Sequence, residues 1–376
     1  MSADATVVVV TWQGRHLLEP CLDALTAQTL PPGRFTTVVV DNASTDGTAE
    51  LLAARGIATM RAPRNLGFAG GATLALAEVT TPYAVVLNND AQPDPDWLEQ
   101  LLSSFTPGVA AVTSKVLLTP RYVQVDVPAT VEELGRVTVD GLDVTTTVVA
   151  WATNNGWQLA VPVPDGIEAH ITMHAIDGKP ATSQVIGTSC ARMDVLNSTG
   201  GELTPTGHGA DRGYLDVDHG QYDEHLDVFA FCGAAAAIRT DVGAALGWFD
   251  PWLFAYYEDL DLSWRMRRAG WAVRYAPRAR VRHRHAATSR IGSPVFQFHN
   301  QRNRLAVLTR NATAAELLQV VAASRQPRHR PSALLLGSIP APSRSQQVKS
   351  RTSALGSYAA RLPRLLRDRR RPSLNR

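Results

Sequence analysis

Short apolar runs alternate with helix-like segments in the N-terminal part of the chain, and this alternation constrains the fold more than any other feature. Residues 5–11, 36–40, 57–61 and 83–87 are apolar or β-branched runs too short to be helices, so each predicts a buried strand. Helical spacing or a capping residue marks 15–28, 49–55, 73–79 and 96–104. Strands and helices in alternation predict an α/β fold with a doubly wound, mostly parallel sheet.

Acidic residues stand where such a sheet binds ligands, beyond the carboxyl ends of its strands. Asp41 ends the second predicted strand, and Asp90 follows the fourth. Further along, Glu258, Asp259 and Asp261 begin a predicted helix, just after a run of aromatic residues. We expect a carboxylate behind a strand and another at a helix entrance to meet in one cleft, where one holds a metal ion and the other takes a proton. The pattern therefore predicts group-transfer chemistry.

The rest of the chain has a different organisation. Alternating segments separated by Gly, Pro and Asn fill residues 121–206, which predicts a β-rich insertion. Residues 311–376 carry 13 Lys and Arg against Glu316 and Asp368, a net charge of +11, so the other 310 residues carry −8. We predict a domain over 1–310, interrupted at about 120–205, and a basic tail over 311–376 with a helix at 353–362 and no structure from 367 on.

Composition excludes several classes of protein. With 45% hydrophobic and 19% charged residues, the chain is typical of a globular protein. Cys21, Cys190 and Cys232 form no CxxC pair, so we expect neither a zinc knuckle nor a disulfide framework, and a reducing cytosol fits best. The longest apolar run, 228–238, is shorter than the roughly 20 residues that span a bilayer, and nothing resembles a signal peptide. We expect a cytoplasmic protein without a membrane-spanning helix.

Eight motifs occur in an order that resembles the inverting glycosyltransferases of family 2, which have the Rossmann-like GT-A fold. They are VVVVTW, VVVDNASTDGT, NLGFAGG, LNNDA, CGAAAAIR, GWFDPWLFAYYEDLDLSWRMRRAGW, PRARVRH and RNRL. The resemblance covers roughly 1–118 and 205–310 and is strongest to the rhamnosyltransferase-like enzymes of bacterial cell-wall and O-antigen assembly. The sequence departs from the family at Gln13 and at Ala72, where Asn is usual.

The resemblance implies which residues bind the metal ion and which one acts as the general base. Asp90 stands in the place of the family's DxD element and would bind Mn²⁺ or Mg²⁺, which prefer carboxylate oxygen. His283 matches a metal-binding histidine, with His285 as the alternative. Asp259 lies in the family's Glu-Asp pair and would be the general base that deprotonates the acceptor hydroxyl.

The remaining candidates line the donor and acceptor sites that the family has. Those for the nucleotide-sugar donor are Thr11, Asp41, Arg64, Asn65, Gly67, Asn89, Arg302 and Arg304, the last two as a diphosphate clamp. Those for the acceptor are Trp252, Tyr257 and Glu258. Structural alternatives stay open: Asp90 in a turn, the glycines at a helix start, the arginines in ion pairs and the aromatic residues in the core. For Asp259, Glu258 and Asp261 the alternative is a favourable position at the positive end of a helix.

The sequence thus predicts a metal-dependent inverting glycosyltransferase with a glycan or lipid-linked glycan acceptor. The first donor we expect is dTDP-L-rhamnose, with UDP-hexoses or UDP-galactofuranose as alternatives. The basic tail predicts peripheral docking on the anionic inner face of the cell membrane, and no nucleic-acid partner because no motif for one accompanies it. Two other classes stay open: a nucleotidyltransferase, although TWQGRH is a poor version of its loop, and a non-catalytic sugar- or membrane-binding protein.

Overall fold

A computed structural model describes residues 3–31, 33–127, 134–153, 156–176, 178–284, 293–324, 333–335 and 344–369. In the N-terminal part, strands and helices alternate as β1 (Ala5–Thr11), α1 (Arg15–Thr26), β2 (Phe35–Asp41), α2 (Thr48–Ala54), β3 (Ala58–Arg61), α3 (Gly67–Leu76), β4 (Tyr83–Asn88), β5 (Ala91–Pro93), α4 (Trp97–Ser103) and β6 (Val109–Leu118).

Short strands then dominate up to residue 211. They are β7 (Tyr122–Val127), β8 (Leu134–Val139), β9 (Leu142–Asp143), β10 (Val149–Thr153), β11 (Gly156–Pro162), β12 (Ala169–Ala175), β13 (Pro180–Ile186), β14 (Leu196–Ser198), β15 (Gly201–Leu203) and β16 (Gly209–Asp211). The C-terminal part contains β17 (Asp227–Val228), β18 (Ala235–Arg239), α5 (Thr240–Leu246), α6 (Glu258–Arg268), β19 (Ala272–His283), α7 (Pro294–Asn311), α8 (Ala314–Ala323), β20 (Ala333–Leu335) and α9 (Arg344–Arg369).

The central sheet confirms the predicted α/β architecture. Its main path runs β17-β19-β6-β18-β4-β1-β2-β3, with β14 added on β6 and β5 added on β19. Strands β1 to β4 pair in parallel, as does β19 with β6, whereas β18 runs antiparallel between β4 and β6. The sheet is therefore mostly parallel, and the strands that run in the opposite direction are β5, β14, β17 and β18.

Strand β1 shows why the apolar runs become strands. Val7 and Val9 are buried in the core on one face of the sheet, and Val8 and Val10 in the core on the other. Because successive side chains point to opposite faces, a strand covered on both sides must be apolar throughout. The core therefore encloses the sheet and leaves its edge at the strand ends for the polar residues.

The insertion is β-rich, as predicted. It carries two four-stranded sheets, β20-β10-β11-β7 and β13-β12-β8-β9, the first of which is completed by β20 from the C-terminal part of the chain. Side chains of both sheets, among them Val125, Leu159, Val137 and Ile171, share one apolar core, so the two sheets lie face to face.

Helix α3 begins at Gly67, six residues before the predicted start, because its first turns consist of small residues that approach neighbouring chain segments closely. A Cβ atom at Gly71 would lie 2.8 Å from Cγ1 of Val10. Glycine at this position therefore lets the helix lie directly on β1.

The tail differs from the prediction. Helix α9 spans Arg344–Arg369 and continues through Pro363, whereas we expected a helix at 353–362 and no structure from 367. It is held to α7 by a 2.8 Å hydrogen bond between the hydroxyl groups of Thr309 and Tyr358, and Leu365 is fully buried. Residues 370–376 lie outside the described part. Every helix within that part is too short or too polar to cross a membrane.

Candidate functional site

Strand pairing brings His283 to Asp90. His283 ends β19 and pairs with Ala91 of β5, the residue after Asp90. The Nε2 atom of His283 lies 3.0 Å from Oδ1 of Asp90, and both residues are buried. The alternative ligand, His285, lies outside the described residues.

The other ring nitrogen of His283 determines what the pair can bind. Nδ1 lies 2.6 Å from Oδ1 of Asn197, and because an amide oxygen only accepts hydrogen bonds, Nδ1 donates. In the neutral imidazole Nε2 then carries a lone pair, which faces Asp90 and, at 3.3 Å, the side-chain amide nitrogen of Asn88. A lone pair and a carboxylate oxygen side by side suit a cation.

A divalent cation fits this pair. Two neighbouring ligands of an octahedral ion with bonds of about 2.1 Å stand about 3 Å apart, which is the separation of Nε2 from Oδ1. Within the described part of the chain, no third His, Cys, Asp or Glu completes a cluster around an ion. Asp90 and His283 would therefore be the protein ligands, and phosphate oxygens and water would supply the rest, as is usual for Mg²⁺.

Asp259 is fixed by backbone amides at the start of α6. Its Oδ2 accepts a 2.9 Å hydrogen bond from the N–H of Gly233, and its Oδ1 accepts one from the N–H of Leu260. Burial raises the pKa of Asp259 above its ordinary value, and burial together with the charge of Asp259 raises the pKa of Glu258 further. A carboxylate with a raised pKa binds a proton more strongly, which suits a general base.

Asp90 and Asp259 lie at the same end of the central sheet. Gly233, which binds Asp259, precedes Ala234, and the carbonyl of Ala234 accepts a 2.9 Å hydrogen bond from the N–H of Asn88 at the end of β4. Asp90 follows two residues later. These two hydrogen bonds, made by the backbone at residues 233 and 234, therefore connect the carboxylate of Asp259 to the segment that carries Asp90.

The loop before α6 is strained, and α7 holds it. Phe254, Tyr256 and Tyr257 have φ angles of 66°, 69° and 70°, a region that side-chain-bearing residues rarely adopt. The side-chain amide of Asn303 lies 2.7–2.9 Å from the carbonyl oxygens of residues 253, 255 and 256. Our sequence reasoning missed Asn303, although it lies within the RNRL motif.

The two arginines of that motif bind the backbone, which differs from both the predicted diphosphate clamp and its alternative, an ion pair. Arg302 is buried and donates to the carbonyl oxygens of Trp252 and Leu253, and Arg304 donates to those at 206 and 207. These N–H groups of the two guanidinium groups thus donate to the protein's own backbone. The clamp role is not supported by these contacts.

The acceptor candidates divide in the same way. Tyr257 lies in the core, and its hydroxyl accepts a 3.1 Å hydrogen bond from the N–H of Gly209, so its ring is not available for stacking on a sugar. Trp252 is half-buried, with the guanidinium of Arg302 4.1 Å from its ring centre. Glu258 lies beside Asp259 at the site.

The donor candidates at the strand ends cluster near Asp90. The side-chain amide of Asn89 donates a 2.9 Å hydrogen bond to the hydroxyl of Thr11, and both are buried. Asp41 is also buried; it accepts from the N–H of Ser44 and forms a 3.1 Å ion pair with Arg61. These contacts form a polar floor along the ends of β1, β2 and β4.

The glycine-rich stretch approaches its own chain. A Cβ atom at Gly67, where φ is 72°, would lie 2.3 Å from the carbonyl oxygen of Phe254, and the N–H of Gly67 donates to the side chain of Asn65. The glycine is therefore explained by packing against the loop before α6, the helix-start alternative. Arg64 is exposed beside it.

Two further acids have roles that the sequence did not reveal. Asp261, predicted as a possible partner of the helix dipole, is fully buried and forms 2.9 Å ion pairs with Arg265 and Arg310. Despite burial, these cations keep the pKa of Asp261 below its usual value. Asp211, at the end of β16, lies within electrostatic reach of both Asp259 and His283.

Two family models match the sequence. Residues 6–124 match glycosyl transferase family 2, and residues 195–336 match glycosyl transferase family group 2. The unmatched stretch between them contains the two-sheet insertion. None of the curated proteins compared with the chain matches it.

The chain is similar to several solved structures of low sequence identity. GalNAc-T7 with UDP, GalNAc and Mn²⁺ is 14% identical with a TM-score of 0.55; the match covers 94% of this chain and 55% of that one. Mannosyltransferase PcManGT from Pyrobaculum calidifontis, in complex with GDP-Man and Mn²⁺, is 16% identical with a TM-score of 0.45, covering 96% and 76%. TarS from S. aureus in complex with UDP is 14% identical with a TM-score of 0.44, covering 86% and 70%.

The likeness to GalNAc-T7 shows a GT-A-like fold, since the match covers nearly all of this chain even though the chain spans only about half of that structure. The two matched models lie on the segments that build the central sheet and the site described above. The chain therefore resembles the glycosyltransferases of family 2 over the two segments that flank the insertion.

Proposed function

We propose that this protein is a metal-dependent inverting glycosyltransferase in which Asp90 and His283 hold the ion and Asp259 is the general base. The observation that carries the proposal is the meeting of these residues at one end of the sheet. Nε2 of His283 lies 3.0 Å from Asp90, and the backbone hydrogen bonds at residues 233 and 234 bring Asp259 to the same end.

Inversion needs a single in-line displacement. The acceptor oxygen forms a bond to the anomeric carbon while the bond from that carbon to the diphosphate oxygen breaks, and the electron pair leaves with the diphosphate. Oδ1 or Oδ2 of Asp259 takes the proton of the acceptor hydroxyl, and the raised pKa of Asp259 favours that transfer. A bound divalent ion supplies charge stabilisation to the leaving diphosphate.

The donor is a nucleoside-diphosphate sugar. The structures of PcManGT and TarS contain GDP-Man and UDP, respectively, and two of the compared structures contain Mn²⁺. Thr11, Asp41 and Asn89 form the polar floor on which we place the nucleotide. We propose dTDP-L-rhamnose as the first donor, because the sequence motifs most resemble rhamnosyltransferases, with UDP-hexoses and UDP-galactofuranose next.

We place the acceptor, a glycan or lipid-linked glycan, at the inner face of the cell membrane. The exposed side of α9 carries Lys349, Arg351, Arg364 and Arg367, and its acid, Asp368, is turned toward Arg310 at 3.6 Å. Three apolar side chains are exposed on the same helix: Val348, Leu355 and Leu366. Basic and apolar side chains together on one helix are typical of binding to an anionic lipid surface.

A screen of nucleotide sugars tests the enzymatic proposal. The protein is incubated with Mn²⁺ and each of dTDP-rhamnose, the UDP-hexoses and UDP-galactofuranose, and thermal stabilisation and nucleoside-diphosphate release are measured. We expect one donor to stabilise the protein only with Mn²⁺ and to release nucleoside diphosphate. Pyrophosphate release in a parallel reaction with a nucleoside triphosphate and a sugar 1-phosphate would instead indicate a nucleotidyltransferase. The absence of any Mn²⁺-dependent binding would indicate a non-catalytic protein.

Vesicle flotation tests the membrane proposal separately. We expect the protein to bind vesicles of phosphatidylcholine mixed with phosphatidylglycerol and not vesicles of phosphatidylcholine alone. Replacing Arg364 and Arg367 with Gln should weaken the binding. Equal binding to both kinds of vesicle, or no effect of the substitutions, would contradict docking through α9.

A further inference from the structure

Asp211 is an acid beside the site that neither the motifs nor the mechanism above uses. It ends β16, which is held against the loop before α6 by the hydrogen bond from the N–H of Gly209 to the hydroxyl of Tyr257. This places Asp211 near the first turn of α6, and its carboxylate is in electrostatic contact with that of Asp259.

Neutral donors surround the Asp211 carboxylate. The hydroxyl of Ser198 and the thiol of Cys232 lie beside it and favour its charged form. Burial, with the charges of Asp211 and Asp259, raises the pKa of Cys232 well above its usual value, so the thiol keeps its proton and remains a donor. Among the described residues, no Arg or Lys forms an ion pair with Asp211, and His283 is the cation-forming group within its electrostatic reach.

The position of Asp211 excludes a direct role in holding the ion. Asp90 and His283 form a pair without a third acidic, histidine or cysteine ligand among the described side chains. Asp211 instead lies on the side of Asp259, and it is half-buried, so part of its surface is open. A partly exposed acid beside a general base suits a hydroxyl group of the molecule that the base deprotonates.

We propose that Asp211 binds the acceptor sugar, accepting a hydrogen bond from a hydroxyl group next to the one that Asp259 deprotonates. The inference rests on the proposed glycosyltransferase function and specifies its acceptor: a saccharide with two neighbouring hydroxyl groups free. Ser198 and Cys232 stabilise the charged form of the carboxylate. A monosaccharide glycoside with such a pair is the smallest probe of the site.

Binding of p-nitrophenyl glycosides tests the proposal without requiring turnover. Saturation-transfer NMR is recorded for a panel of p-nitrophenyl gluco-, galacto-, manno- and rhamnosides in the presence of Mn²⁺ and the nucleoside diphosphate that binds best. For Asp211→Asn we expect the dissociation constant of the glycoside to be about 10-fold higher, because a hydrogen bond to a charged group is lost. The affinity for the nucleoside diphosphate should stay unchanged.

Two other variants sharpen the result. Glu202→Gln removes an exposed acid from β15, the strand paired with β16, and should bind the glycoside like the wild type. Ser198→Ala retains Asp211 but removes one of its donors, and it should weaken glycoside binding less than Asp211→Asn does. Ser198→Ala also tests the proposal if Asp211→Asn fails to fold.

The outcomes separate this inference from the proposed function. Equal glycoside binding by the wild type and by Asp211→Asn or Ser198→Ala overturns the inference and leaves the enzyme assignment intact. Weaker nucleotide binding by Asp211→Asn also overturns it, since Asp211 would then serve the donor side. A wild-type protein that binds nucleotide but no glycoside of the panel contradicts it as well, whereas a protein that binds no nucleotide contradicts the proposed function.

Discussion

At the scale of single residues, Asn197 decides how His283 presents its ring. Its side-chain oxygen accepts the hydrogen of Nδ1 at 2.6 Å and so leaves Nε2 to face Asp90. Groups that orient a metal-binding histidine in this way typically contribute 10- to 100-fold to metal affinity.

We therefore expect Asn197→Leu to bind Mn²⁺ about 10- to 100-fold more weakly than the wild type. The measurement is a calorimetric titration of Mn²⁺ into the protein with nucleoside diphosphate present. Asp259→Asn is the control, because Asp259 is not a proposed ligand, and it should bind Mn²⁺ like the wild type. Wild-type affinity in Asn197→Leu would show that His283 does not bind the ion.

A second residue-scale prediction concerns pH. Burial raises the pKa of Asp211 to about 6, with a contribution from the charge of Asp259, whereas an unfolded Asp titrates near 3.9. The folded state therefore keeps a proton that the unfolded state loses, and this contribution to stability falls as pH rises through that interval.

Asp211→Asn removes this pH-dependent loss of stability. The melting temperature of the variant minus that of the wild type should therefore increase from pH 4 to pH 8, with most of the increase below about pH 6. Asp259 and Glu258 are present in both proteins, so their contributions to the pH dependence largely cancel in the difference. A difference in melting temperature that is the same at both pH values would contradict the raised pKa.

At the scale of elements, α7 holds the strained loop that presents Glu258 and Asp259. The amide nitrogen of Asn303 reaches three carbonyl oxygens of that loop, and three loop residues have positive φ. Such strain persists only where the surroundings over-determine it. Asn303 is thus a positioning residue that acts through the loop.

Asn303→Leu should reduce the free energy of unfolding by about 3 kcal/mol, because buried carbonyl groups lose their donor. Asn300→Leu is the matched control on the same helix. In the described part of the chain, the Asn300 amide donates to one carbonyl, that of Phe296, so the loss of free energy of unfolding should be smaller. Urea denaturation measures both. Equal losses would mean that the loop does not depend on Asn303.

The strands at the core of the fold were predictable because their side chains carry the pattern themselves. β1 must be apolar on both faces. Acidic residues at the ends of the neighbouring strands are therefore conspicuous next to apolar runs. Contacts between distant segments leave no such pattern. Asn197 and Asn303 are unremarkable in sequence, and only the pairing of β14 with β6 and the course of α7 give them partners.

Helix boundaries failed for a related reason. Glycine is unfavourable inside a helix, so the stretch before residue 73 predicts a loop. Close contact with Val10 and Phe254 overrides that preference, and α3 starts at Gly67. Pro363 likewise predicts an end to the tail helix, yet packing on α7 carries α9 to Arg369.

At the scale of the whole molecule, the C-terminal residues return to the catalytic part of the chain. Strand β20 pairs with β10 of the insertion, and α9 then packs along α7, the helix that holds the loop of the proposed base. Leu365 of α9 is fully buried there, whereas its neighbour Leu366 is 44% exposed.

Leu365→Ala should therefore lower the free energy of unfolding by about 2–3 kcal/mol, as expected for a buried leucine. Leu366→Ala, the matched control one position away, should change it by less than about 0.5 kcal/mol. Thermal or urea unfolding of the full-length chain measures both. A negligible effect of Leu365→Ala would mean that α9 does not dock on α7 in solution.

The catalytic assignment depends on Asp90 and Asp259 having separate tasks at one end of the sheet. The most direct test is the rate of nucleoside-diphosphate release by Asp259→Asn at saturating donor, acceptor and Mn²⁺, with donor occupancy measured in the same samples. We expect full occupancy with a rate about 10²- to 10⁴-fold below the wild type, the usual contribution of a general base. A wild-type rate at full occupancy would remove Asp259 from the mechanism.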